Sequence, residues 1–254
     1  YARFDEIIDE VDLANKDFAL DDLLPVVRSA ELLSTRYDVA VTNPPYMGGS
    51  GMNPKLSEYV KGRYPDSKSD LFACFIDRGF DIVKSDGYIS MITMESWMFL
   101  SSFEKMRQNI LNSHTIVNMV HMPYLGKGGT SLGINFGTAA VIFNNRYCSD
   151  YNSQFDYICY YETDDEGVPF AFPTINERYK ATQAANFSKI PGCPVAYWVN
   201  QKAFAAFESV KISDYYTVRN GISTGNNEKY LRLWHEISSN TDYWKPCNKG
   251  GSCR

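Results

Sequence analysis

Four short apolar runs, YDVAVT at 37–42, YISMIT at 88–93, TIVNMVHM at 115–122 and TAAVIFNN at 138–145, are spaced through the first 150 residues of the chain. Each has the length of a strand, and apolar runs with few charges suit strands covered on both faces. Helical spacing of apolar residues marks 18–34, restarted at Pro25, and again 69–86, with Ser69 as N-cap and Gly87 just past the end. A further helix is expected over 99–113. Strands that alternate with helices pair in parallel, because each connection crosses back over the sheet. No helical pattern intervenes between 122 and 138, so the last two strands are expected to close the sheet as an antiparallel hairpin. Residues 47–68, rich in Gly, Ser, Lys and Pro, read as a long mobile loop. Beyond 150 the pattern loosens: 155–162 is strand-like, 176–187 helical, 201–210 a short amphipathic helix, and a new region opens at Asp214.

The first strand run ends in Asn43-Pro44-Pro45-Tyr46. Prolines cannot donate to a strand ladder and hold φ in a narrow range, so the strand must stop and the following loop is stiff. The carboxyl ends of strands form the ligand edge of an open α/β sheet, and that is where this loop would sit. An ordinary turn explains an Asn-Pro pair by itself. All four residues directly after an apolar strand carry a more specific message.

Composition narrows the setting. An apolar fraction of 44% is that of a globular protein, and no run of about 18 apolar residues is present to span a membrane. The six cysteines form no C-x-x-C pair and read mostly as reduced core thiols of a cytoplasmic protein. His114, His121 and His235 lack zinc spacing, so no metal site is expected. The opening residues are acidic and do not read as a signal peptide, and a start at Tyr1 leads us to expect further sequence upstream. Net charge is -5, but residues 1–38 hold 10 acidic against 4 basic side chains, whereas from 201 onward there are 8 basic against 5 acidic. The remainder of the chain is therefore close to neutral, which leaves nucleic-acid binding open.

The stretch DVAVTNPPY resembles motif IV of the class I, S-adenosylmethionine-dependent amino-methyltransferases. More narrowly, the chain resembles the PglX adenine-specific DNA methyltransferases of bacterial BREX phage defence. The resemblance rests on YDVAVTNPPYMG, SDLFACFIDRGFDIVKSDGYISMIT, SFEKMRQNIL, FGTAAVIF, IPGCPVAYWV and GISTGNNEKYLRLWHEIS, taken in that order. It implies an α/β fold, the carboxyl-terminal part of a Rossmann-like sheet followed by the start of a target-recognition region. The implied organisation is an acidic helical leader at 1–38, a partial catalytic core at 37–150, a connecting α+β region at 151–213 and the recognition region from 214 to 254. S-adenosyl-L-methionine is the implied cofactor and double-stranded DNA the implied partner, with other phage-defence proteins as further partners and no membrane. No F-x-G-x-G loop precedes residue 37. These residues alone are therefore expected to bind the methyl donor weakly or not at all and to be inactive.

Adenine's exocyclic amine is a poor nucleophile because its lone pair is delocalised into the ring. Two fixed acceptors, one for each amine hydrogen, favour a tetrahedral nitrogen with its lone pair free. The Asn43 side-chain oxygen and the Pro44 carbonyl are the candidate acceptors, on a loop that Pro44 and Pro45 pre-set. Tyr46 offers a ring on which an extruded base stacks, and stacking needs the ring rather than the hydroxyl. Phe136 falls where the family often places a second aromatic near the base, though core packing accounts for it equally. Asp17 and Asp22 are candidate contacts to the cofactor, or helix-start acids. Lys229 and Arg232 are candidate DNA phosphate contacts, or part of a solvated surface. Glu95 and Trp97 follow a strand at the ligand edge, and a helix start explains them as well.

Three functions compete on the sequence. The first is methyl transfer to a flipped adenine in DNA, as the modification component of a phage-defence system. The second is methyl transfer to RNA or to a protein glutamine amide, whose conjugated nitrogens pose the same chemical problem. The third is a non-catalytic DNA-binding subunit. The long region after residue 150 favours DNA over a glutamine amide, and the intact Asn43–Tyr46 element argues against a decayed site.

Overall fold

The computed structural model describes residues 23–122, 136–164, 168–173, 176–217, 225–233, 235–237 and 243–245. The chain divides after Ser209 into two compact units. The first holds a six-stranded mixed sheet built from β1 (Tyr37–Thr42), β2 (Val83–Met94), β3 (Thr115–Met122), β4 (Thr138–Asn144), β5 (Asn152–Tyr157) and β6 (Lys180–Gln183). Their spatial order is β1-β2-β4-β3-β5-β6. β1 and β2 pair in parallel, as do β3 and β5, whereas β4 runs antiparallel to both β2 and β3. Hence β1, β2, β3 and β5 all point one way, and the expected antiparallel pairing of β3 and β4 is present, but it does not close the sheet, which β5 and β6 extend beyond β3. β4 does not sit outside the hairpin at the sheet's edge but is inserted between β2 and β3. That insertion delivers its first residues to the same edge as the carboxyl ends of the parallel strands.

Helix α1 (Leu24–Ser34) opens with Pro25 in its first turn, where the missing N–H costs nothing. Helix α3 (Leu71–Ile82) packs on the sheet face that carries Ile89, Met91, Val141 and Phe143, with Phe72, Ala73 and Ile76 buried. Gly79 lets it approach closely, since a Cβ there would stand 3.1 Å from both Ile89 and Met91 side chains. Helix α4 (Glu104–Ser113) adds Met106, Ile110 and Leu111 to the same core. Buried Arg107 ties this layer together. Its guanidinium donates to the carbonyls of Trp97 (2.9 Å), Leu100 (2.6 Å) and Gly192 (2.7 Å), and its Nε also to Cys193 (3.2 Å), which offsets the cost of burying the charge.

Several expectations need correction. Residues 47–68 are not a loop throughout: α2 (Pro54–Arg63) lies inside them, started by Asn53, whose side chain accepts from Leu56 N–H at 2.9 Å, with Pro54 in the first turn. The N-cap of α3 is Asp70 rather than Ser69, and Gly87 lies within β2, which begins at Val83. Over 99–113 only the second part is α-helical, after short 3-10 turns at 95–98 and 101–103. Residues 176–187, expected as a helix, instead form β6 and then a 3-10 turn. Pairing of 180–183 with β5 satisfies that backbone, and Phe187 is buried against Phe155.

Helix α5 (Gln201–Phe207) lies near the end of the first unit, and the described residues of the second include two short helices, α6 (Ile212–Tyr215) and α7 (Asn227–Tyr230). Among the described residues no helix is long and apolar enough to cross a membrane, and no cluster of three or more His, Cys, Asp or Glu side chains is arranged to hold a metal. Cys74 and Cys159 are buried free thiols, whereas Cys148 is exposed.

Candidate active site

The parallel register pairs Thr42 with Met91, so the residues after β1 emerge beside the end of β2. Asn43 is exposed there, Pro44 is buried and Pro45 is exposed. The loop then turns back across the sheet edge. The Tyr46 hydroxyl lies 3.0 Å from Asn43 Oδ1 and 3.0 Å from the Ile92 carbonyl, and its single proton serves one acceptor at a time. Partial burial raises the Tyr46 pKa from its ordinary value, so the hydroxyl remains a donor across the physiological range. Asn43 Oδ1 is thereby oriented and keeps a second lone pair for another donor.

The far side of the loop is tethered to the start of α3. Met47 N–H donates to Asp70 Oδ1 at 2.9 Å, Leu71 N–H donates to the Met47 carbonyl at 3.0 Å, and Gly48 forms a bridge with Asp70. Asp70 is also the cap of α3, accepting from Phe72 N–H at 3.4 Å. One carboxylate thus joins helix start and loop, which local capping preference alone does not disclose.

Phe136 comes to the same edge because β4 runs backwards. Its ring meets the Tyr46 ring edge-on, with centroids 5.1 Å apart at 68°, while Phe72 lies 6.2 Å below Tyr46. Tyr46 remains 36% exposed, enough surface for a flat ligand to reach its ring. Glu95, the residue after β2, donates its N–H to the Gly137 carbonyl at 2.8 Å. Its carboxylate accepts from His121 Nε2 at 2.6 Å, and the other ring nitrogen of His121 meets the Tyr197 hydroxyl at 2.8 Å. This network spans residues far apart in sequence and left no local signal. Trp97, by contrast, is buried with its indole N–H on Thr93 Oγ1, so it belongs to the core.

Of the sequence-derived candidates, Asn43, Pro44, Pro45, Tyr46 and Phe136 are gathered at one edge. Asp17 and Asp22 lie outside the described residues. Lys229 and Arg232 belong to the second unit: Lys229 Nζ lies 5.2 Å from the Tyr230 ring centre, and Arg232 donates to the Glu228 and Leu231 carbonyls. A separate open cavity of about 300 Å³ is lined by Arg63, Asp66, Asp77, Phe80, Asn109 and His114. There burial raises the Asp77 carboxyl to about 6 and lowers His114 to about 4.

The Eco57I restriction-modification methylase family matches residues 3–126. An adenine-specific methyltransferase BrxX from Escherichia coli O9:H4 (strain HS) is 35% identical over 256 residues, covering 96% of this chain and 21% of its own length. An adenine-specific methyltransferase PglX from Lacticaseibacillus casei (strain Zhang) is 33% identical over 259 residues, covering 92% and 21%. The chain is thus homologous over most of its length to adenine-specific methyltransferases of the BrxX and PglX type, and it spans about a fifth of their length. Among solved structures, a type I restriction-modification methyltransferase subunit from Streptococcus thermophilus aligns with 64% of this chain and 38% of its own, at a TM-score of 0.49 and 13% identity.

Proposed function

We propose that this chain carries the amine-activating part of a DNA adenine methyltransferase, which moves a methyl group from S-adenosylmethionine to the exocyclic nitrogen of a flipped adenine within a phage-defence system. The observation that carries the reading is the Asn43–Tyr46 loop at the carboxyl edge of β1, with Asn43 Oδ1 held by the Tyr46 hydroxyl and the Tyr46 ring flanked by Phe136.

In this reading Asn43 Oδ1 and the Pro44 carbonyl each accept one amine hydrogen. The nitrogen becomes more tetrahedral, and its lone pair is released from the ring. Because β1 holds the loop at its start and the contacts of Tyr46 with Ile92 and Met47 with Asp70 hold it at its end, the acceptors need little reorganisation. The target base stacks on the Tyr46 ring, with Phe136 closing one side, and its extrusion from the duplex is required for it to reach a loop at the sheet edge. S-adenosylmethionine, when bound, supplies the electrophilic methyl group. The residues assigned to its contacts, Asp17 and Asp22, lie outside the described set, whereas the described edge fits the methyl-accepting partner. Lys229 and Arg232 serve as phosphate contacts in the same reading.

The test is Asn43→Ala in the complete gene product, with 6-methyladenine counted in digests of host DNA. Transfer should fall by about 10²–10³-fold, as for loss of one preorganised polar contact in other active sites, with DNA affinity nearly unchanged. Unaltered 6-methyladenine would remove the assignment of the loop.

A further inference from the structure

The Glu95–His121–Tyr197 network has no part in the chemistry above, yet it lies beside it, with His121 and Tyr197 buried and Glu95 partly buried. Replacing such a network by apolar side chains is often neutral or stabilising, so its presence calls for a geometric reason. Gly137 supplies one. A Cβ at this position would stand 2.1 Å from Glu95 Cδ and 2.3 and 2.4 Å from the two carboxylate oxygens. The carboxylate therefore occupies the space where a side chain at 137 would be. Together with the bond from Glu95 N–H to the Gly137 carbonyl, it clamps the backbone of 137 from two directions. Phe136, whose ring packs on Tyr46, is the next residue back.

The clamp is itself held. A carboxylate oxygen accepts, and Nε2 of the imidazole is the group that meets it, at 2.6 Å. Burial raises the Tyr197 hydroxyl well above its ordinary range, so it stays protonated and can donate to Nδ1. Tyr197 in turn stacks flat on Phe155 of β5, with centroids 4.7 Å apart and planes within 2°. His121 is 3% and Tyr197 2% exposed, so neither has room to change rotamer. The chain of contacts thus runs from Phe155 on β5, through Tyr197, His121 and Glu95, to the backbone of Gly137, the residue next to Phe136.

We propose that Glu95, His121 and Tyr197 are positioning residues that fix Phe136 against Tyr46, and so shape the slot that takes the target base. The role in base binding rests on the function proposed above; the positioning of Phe136 does not. Glu95 acts by filling space and by accepting a hydrogen bond, and Gln can do both. Glu95→Gln should therefore behave almost as the native protein, whereas Glu95→Ala should release residue 137.

The experiment uses the complete gene product with 4-fluorophenylalanine at position 136, followed by fluorine NMR. One narrow resonance is expected in the native background and in Glu95→Gln, and a shifted or broadened one in Glu95→Ala. Tyr197→Phe, which keeps the ring and its stack on Phe155, should perturb the resonance in the same direction and carries the test if Glu95→Ala does not fold. An unchanged resonance in the folded Ala and Phe variants overturns the proposal. Methyl-transfer kinetics on unmethylated host DNA then ask whether the effect acts through Phe136. Glu95→Ala should lower kcat by about ten- to a hundredfold, the cost of a displacement of order 1 Å, and should have little further effect once Phe136 is already Ala. Additive losses overturn the proposal. A native protein that transfers no methyl group overturns the function reading alone, because the fluorine measurement still decides the positioning.

Discussion

Removing the Tyr46 hydroxyl separates the two tasks assigned to this residue. Tyr46→Phe leaves the ring, its edge contact with Phe136 and its packing over Phe72, and deletes only the bond shared between Asn43 Oδ1 and the Ile92 carbonyl. Both former acceptors are at the solvent-facing edge and can be rehydrated, so the loss is that of an ordinary hydrogen bond, about 0.5–1.5 kcal/mol. If all of it falls on the transition state, transfer slows by roughly two- to twelvefold. Tyr46→Ala also removes the stacking platform, about a further 1–3 kcal/mol. Together these predict a slowing of roughly ten- to two-thousandfold. The assay is single-turnover transfer of a radiolabelled methyl group to unmethylated host DNA, with all variants at one salt concentration. Equal loss in Tyr46→Phe and Tyr46→Ala would refute the reasoning, since it would make the hydroxyl, not the ring, the working part.

Three other outcomes follow from the structure. Asp70→Ala removes both the α3 cap and the Met47 tether and should destabilise the fold by about 1–2 kcal/mol in urea denaturation, while Asp70→Asn, which keeps an acceptor, should stay close to native. Arg107→Ala removes the donor shared by the carbonyls of Trp97, Leu100, Gly192 and Cys193, all buried or partly buried contacts, and should cost roughly 3 kcal/mol by the same measurement. His114 is lowered from 6.5 to about 4, so the unfolded chain takes up its proton first and this residue weakens the fold as pH falls from about 6.5 towards 4. Asp77, raised from 3.8 to about 6, acts oppositely and strengthens the fold as pH falls through about 6. His114→Phe, which keeps the stack on Phe80, should therefore lose less Tm between pH 7.5 and 5 than the native chain, and an equal or greater loss would count against this account.

Strand positions and the stop at Asn43 could be read from the sequence because they depend on local physics: apolar runs of strand length, prolines that cannot join a ladder, and an absent helix between two strands that forces a hairpin. Pro25 marks the start of α1 for the same reason. Local signals also misled where two of them competed. Ser69 and Asp70 are both good caps, and the choice fell to Asp70 because its carboxylate additionally meets Met47 N–H. The run 180–183 is compatible with a helix by itself, but β5 offers it a ladder. What no local pattern contains is the insertion of β4 between β2 and β3, because strand order is settled by which long-range pairings bury Ala139, Val141 and Phe143 together. That insertion brings Phe136 to Tyr46 across 90 residues and sets Glu95, His121 and Tyr197 in line behind Gly137. The sequence alone determined the stiff loop that is proposed to bear the chemistry; the surface facing that loop exists only because a reversed strand is inserted between two parallel ones.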